Sequence, residues 1–325
     1  MSISRRDFLG ASAVGGFLLA GRETPASSGG RIDRQALVRR HNPIVRRLDP
    51  FAALTVGNGE FAFTADVTGL QTFPEEYREQ FPLCTASHWG WHTTPLPPGL
   101  HVEDFRYQEY EVSGRRVGYA TDSTGQEALF NWLRQNPHRL HLGRIGFELK
   151  KKDNSPGRPA DLHHLQQTLD LWTGLLDSRF EFEGQPVHVQ TCVHPEMDLL
   201  AVRVQSPLVG EGRLQVLLAF PYGSPDLDMA DWQSADRHQT ICTRHGHCAS
   251  FQRILDGDHY WVSLAWSEGR LEERARHQYV LNGTGGESLE WVMLFSPKPH
   301  RQVLPSVTEA QQACRAHWER FWNEG

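Results

Sequence analysis

The 325 residues include no apolar run long enough to cross a bilayer, no basic stripe and only five cysteines. A permanent helical anchor needs about 20 consecutive apolar residues, and the longest candidate, residues 8–20 (FLGASAVGGFLLA), falls short. A net charge of −6, with Lys150, Lys151 and Lys152 as a brief run before the turn-like DNSPGRP, argues against nucleic acid as a partner. There is no Gly-x-Ser-x-Gly elbow, no P-loop and no dinucleotide fingerprint, so three common routes to hydrolase, nucleotide and redox chemistry have no signature here. Internal repeats of fixed length and low-complexity segments are also missing.

The cysteines, at 84, 192, 242, 248 and 314, are odd in number and show no framework spacing. The one close pair is Cys242 and Cys248 in CTRHGHC. A loop of Arg244, His245 and Gly246 would set the two across a hairpin and allow a bridge. The others read as small buried residues.

What is present begins with export. Ser4-Arg5-Arg6-Asp7-Phe8-Leu9 matches the twin-arginine pattern, followed by the short apolar run and a polar stretch in which Thr24-Pro25-Ala26 ends on a small residue. Residues 1–26 therefore read as a signal peptide, and the expected location is periplasmic or secreted. Residues 27–50 form a basic leading segment, broken at His41-Asn42-Pro43.

From residue 51 to 305 the pattern is mainly β. Leu54, Val56, Phe61, Phe63, Ala65 and Val67 alternate around the turn Gly57-Asn58-Gly59, and Phe180 to Val189 reads as a hairpin about Glu183-Gly184. After residue 139 many short period-two segments, separated by Gly, Pro, Asn or Asp, predict a large antiparallel β-sandwich with a few helices. Residues 125–135 are the one convincing internal helix. Residues 306–325 predict a second: Ser306 and Glu309 make a capping box, and Ala310, Ala313, Cys314, Trp318, Phe321 and Trp322 recur at helical spacing. The aromatic weight of this helix lies toward its free end, so Trp318, Phe321 and Trp322 are candidate interface residues.

The segment Pro82 to His92 holds the most suggestive chemistry. Trp89 and Trp91 have flat apolar faces suited to stacking on a sugar ring, and His88 and His92 have nitrogens suited to its hydroxyls, so these four are the candidate saccharide contacts. The alternative is that the tryptophans plug the sandwich. Seventeen histidines raise the question of metal, but neither His245-Gly246-His247 nor His163-His164 comes with carboxylates at ligand spacing, and Asp226, Asp228 and Asp231 lack the Gly and terminal Glu of an EF-hand. No metal and no cofactor are expected. Glu75, Glu76, Glu103 and Asp104 flank the Trp-rich segment, yet nothing in the sequence marks a pair as the acid and base of glycoside cleavage.

Three segments together resemble the N-terminal part of six-hairpin (α/α toroid) glycoside hydrolases related to glycoside hydrolase family 65: Leu54 to Phe63 (LTVGNGEFAF), Gln167 to Gly174 (QTLDLWTG) and His317 to Trp322 (HWERFW). The resemblance implies a β-supersandwich over residues 51–305 and a linker helix, residues 306–325, leading toward a catalytic toroid that this sequence does not contain. It implies that the family's catalytic residues have no counterparts here, that the chain is either truncated or one part of a split enzyme whose partner is a helical catalytic domain on a separate chain, and that the loop at His88, Trp89, Trp91 and His92 approaches the mouth of that domain. Saccharide is then the ligand class. A stand-alone carbohydrate-binding module and a structural assembly partner without sugar affinity are the alternatives.

Overall fold

The computed structural model describes residues 32–324; the signal-peptide reading of residues 1–26 lies outside them. The mainly β expectation holds. Nine strands, all paired antiparallel, form the large sheet in the order Ile44–Val45, Leu162–Asp170, Leu175–Phe182, Gln185–Val193, Leu199–Gln205, Ser288–Ser296, Asp258–Trp266, Cys248–Leu255 and His238–His245. A four-stranded sheet of Arg270–Ala275, Gln278–Asn282, Leu214–Ala219 and Arg144–Leu149 contributes to the same core. The two sheets share one apolar cluster: Leu200, Val202 and Val204 from the large sheet join Val216, Leu218 and Ile145 from the small one.

Alternation explains which way each strand faces. In Leu199–Gln205, Leu200, Val202 and Val204 point into the sandwich, whereas Leu199 and Ala201 belong to a second cluster on the opposite face. A strand apolar on both faces needs cover on both. The cover is the C-terminal helix Val307–Glu324, whose Val307, Ala310 and Cys314 complete that outer cluster. The expected capping box is formed: Ser306 N–H donates to Glu309 Oε2 at 2.7 Å and Glu309 N–H donates to Ser306 Oγ at 3.2 Å.

Turn chemistry sets the register of the hairpins. Glu183 and Gly184, with φ of 48° and 77°, occupy the left-handed positions of the two-residue turn between Leu175–Phe182 and Gln185–Val193. In the opening hairpin, Leu54–Gly57 pairs with Phe61–Ala65, and Asn58 accepts from the N–H groups of Glu60 and Phe61 while donating to the carbonyls of His194 and Met197. One side chain thus closes the turn and ties it to the large sheet.

The Cys242 to Cys248 bridge is not formed. The hairpin turns on Gly246 and His247, so Cys248 lies opposite His245 and Cys242 lies opposite Phe251. Three residue pairs of register separate the two thiols, and both are free.

Candidate functional site

The segment from Thr85 to His92 splits its four candidate contacts between the interior and the surface. Thr85–Ser87 adds a third strand to the opening hairpin, and Trp91–His92 pairs with His138–Arg139. Trp89 turns inward: its indole N–H donates to Asp198 Oδ2 at 2.7 Å, its ring lies 6.1 Å from that of Tyr260, and Ser87 Oγ donates to the same carboxylate oxygen at 2.6 Å. Its polar handle is already engaged, so it is held as scaffold.

Trp91 faces out, 44% exposed. Its N–H donates to the carbonyl of His88 at 3.0 Å, and the Arg139 guanidinium sits 4.1 Å from the ring centroid. Arg139 also donates to the carbonyls of Ser87 and His88. The indole is thereby fixed as a flat apolar plate backed by a cation. His88 is exposed beside it, its Nδ1 2.6 Å from Glu60 Oε2.

His92 is buried and heads a polar cluster that sequence reasoning missed. Its Nδ1 meets Asp258 Oδ2 at 2.9 Å, its Nε2 lies 3.3 Å from Asp256 Oδ2, and its ring packs edge-on against Tyr222 and His138, whose Nε2 has no hydrogen-bond partner among the described residues. Tyr222 O–H donates to Asp256 Oδ2 at 2.6 Å and accepts from Arg237 at 2.6 Å. Burial, then the hydrogen bond to Asp256, pushes the Tyr222 hydroxyl pKa up; burial, then neighbouring His92, pushes that of His138 down. A signal for the two carboxylates was present in the sequence as Leu255-Asp256-Gly257-Asp258, an Asp-Gly hairpin turn. Asp256, with φ of 51°, sits in that turn and Asp258 follows it, and both reach His92.

Behind this cluster Arg253 is fully buried, with no carboxylate partner among the described residues. It donates to the carbonyls of Gln239 and Pro221, to Thr240 Oγ1, to Tyr260 O–H and to Nδ1 of His238 at 2.6 Å. The acceptor role requires a neutral His238, and burial with the Arg253 charge drives its pKa down to about 3. His141 reaches about 3 by burial and the charge of Arg144. These groups are held in buried hydrogen bonds. Among the described residues no group of three or more His, Cys, Asp or Glu side chains is placed to hold a metal ion.

At the far end of the C-terminal helix, Trp318 and Trp322 are half-buried and Phe321 is 51% exposed. Trp322 donates its N–H to Leu171 O at 2.6 Å, and Arg34 donates to the carbonyls of Trp322 and Asn323, satisfying acceptors that a helix end leaves open. A cavity of about 240 Å³ opens here, lined by Thr55, Val56, Leu169, Leu171, Trp318 and Trp322. The three segments that carry the resemblance therefore meet at one place.

No protein-family profile and no curated protein matches the chain. Among solved structures, a putative kojibiose phosphorylase from the human microbiome is similar over 88% of this chain, with a TM-score of 0.51 and 9% identity. A family GH92 α-mannosidase from Bacteroides thetaiotaomicron aligns over 56% of this chain and 28% of its own, with a TM-score of 0.27 and 9% identity. A GH36 α-galactosidase from Geobacillus stearothermophilus aligns over 75% and 40%, with a TM-score of 0.25 and 10% identity. The first likeness establishes a shared β-sandwich fold, and this chain spans 38% of that protein's length.

Proposed function

We propose that the chain is the non-catalytic β-sandwich component of an exported saccharide-processing enzyme, working with a helical catalytic domain on a separate chain. The observation that carries this reading is the meeting of Leu54–Gly57, Leu169 to Gly174 and Trp318 to Trp322 around one apolar cavity, in a fold shared with a putative kojibiose phosphorylase. The outward ring of Phe321 and the half-buried Trp318 and Trp322 then supply one side of the domain contact. The carboxylates near Trp91 are each engaged by a neighbouring side chain, Asp256 by Tyr222, Asp258 by His92 and Glu60 by His88. Affinity capture of the tagged chain from its own cells should bring down a helix-rich glycosidase-like chain, and Phe321→Asp should release it. A chain recovered alone, with Phe321→Asp behaving as wild type, would overturn this assembly. Export belongs to the same proposal: replacing Arg5 and Arg6 by lysine should strand the protein in the cytoplasm.

A second reading, a stand-alone carbohydrate-binding module, rests on Trp91. Its backed, exposed indole has the form of a stacking plate. Saccharide binding by the isolated chain that disappears in Trp91→Ala would favour the module over the enzyme component.

A further inference from the structure

We infer that Cys192 and Cys314 form a disulfide that fastens the C-terminal helix to the large sheet. Cys192 ends the inner part of strand Gln185–Val193, and its side chain leaves the sheet on the face opposite the sandwich core, 0% exposed. Cys314, 2% exposed, comes down on it from the buried stripe of the helix, in one cluster with Leu175, Leu199, Ala201 and Val292. The two thiols belong to one buried cluster where the helix crosses the strand. Polar groups at this seam are the carbonyls of Thr173 and Gly174, to which Cys314 Sγ lies at 3.4 and 3.7 Å, and the buried Gln311, which accepts from Arg203. Of the other cysteines, Cys242 and Cys248 are out of register with each other and Cys84 lies beside the carbonyl of Asp228.

The chemistry balances with a small-molecule disulfide as oxidant. With the helix lifted, the Cys314 thiol is open to solvent and its thiolate is the nucleophile. After losing its proton to solvent, it attacks the oxidant, forms a mixed disulfide and expels one thiolate. Cys192, deprotonated in turn, attacks Cys314 Sγ and expels the second. Two protein thiols are oxidised, one disulfide molecule is reduced to two thiols, and the sulfurs close to about 2.0 Å. Because both sulfurs are buried in the folded chain, the reaction passes through lifting of the helix or precedes its docking. Closure would pin the helix one turn before Trp318. Oxidation then decides whether the aromatic end can move, independently of what it contacts.

The test uses the full chain twice: folded protein equilibrated with oxidised and reduced glutathione, and unfolded reduced protein refolded in the same mixture. Each sample is then denatured, alkylated, digested without reduction and mapped by mass spectrometry. The expected result, in at least one of the two, is a cross-linked peptide pair holding Cys192 and Cys314, with three alkylated cysteines remaining. The melting temperature of the bridged chain should exceed that of the reduced chain by roughly 5 °C, a gain missing from Cys192→Ala and Cys314→Ala. Amide exchange along Val307–Glu324 should slow in the bridged form. Five alkylated cysteines in both samples, or a bridge to any other cysteine, would overturn the inference; the unmodified chain gives this answer even where a variant fails to fold.

Discussion

Trp318 lies so close over Gly174 that a Cβ at position 174 would stand 2.2 Å from both Cδ1 and Nε1 of the indole. Gly174 also has a φ of +68°, where a side chain is strained whatever the space. The LDLWTG turn is therefore shaped to receive the helix, and the helix position depends on it. Gly174→Ala should cost about 2 to 4 kcal/mol in urea unfolding. A cost below about 1 kcal/mol would mean that the helix is not seated on this turn.

Trp89 and Trp91 should part company on substitution. Trp89→Ala removes a core-packed ring and leaves Asp198 short of a donor, so a loss of about 3 to 5 kcal/mol is expected. Trp91→Ala, at an exposed ring, should stay within about 1 kcal/mol of wild type. Chemical denaturation of both variants checks this, and equal losses would place both rings in the scaffold.

Arg253 is a second such test, because it satisfies several carbonyl and hydroxyl acceptors from one fully buried position. Arg253→Met should destabilise by about 3 to 5 kcal/mol, by abandoning those acceptors in the core. Retention of wild-type stability would show that the surrounding strands re-pair without it.

Stability should fall with acid over the range set by two histidines. His141 donates through Nε2 to Leu83 O and accepts at Nδ1 from Gly143 N–H, so a second proton breaks a buried bond. Its pKa of about 3, against 6.5 in an open chain, means that the unfolded state binds more protons between those values. Its contribution is therefore complete above 6.5 and is lost as pH falls toward 3; His238 acts in the same sense. Asp66 opposes them. Burial raises its carboxyl from 3.8 to about 6 despite donors from Thr68 and Phe73, so its contribution is complete below 3.8 and is lost as pH rises through 6. Urea midpoints followed from about pH 7.5 to about pH 4.5 should decline less steeply in His141→Gln, and more steeply in Asp66→Asn, than in wild type. The opposite order would contradict both assignments.

What could be read from the sequence follows local rules. Glu183-Gly184 and the Ser306 to Glu309 box carry their geometry in two to four residues, and both form as expected. Trp89 and His92 could not be oriented this way. Trp89 lies in a turn and the strand of His92 is only two residues long, too short for alternation to declare a face, and their anchors Asp198 and Asp258 are more than one hundred residues away in sequence. The cysteines mislead for a related reason. Cys242 and Cys248 are near in sequence but offset by register, whereas Cys192 and Cys314 meet only because a helix crosses a strand. The aromatic end of the helix falls between these cases: its stripe was legible, but the cavity it shares with Thr55, Val56, Leu169 and Leu171 depends on the tertiary fold.

Under the proposed function this sandwich does no glycoside chemistry of its own. The direct measurement is release of glucose and glucose 1-phosphate from kojibiose, maltose and trehalose by the purified chain, with and without inorganic phosphate. No turnover above the no-protein control is expected in either buffer. Sustained turnover that co-purifies with the chain and vanishes on its immunodepletion would contradict it.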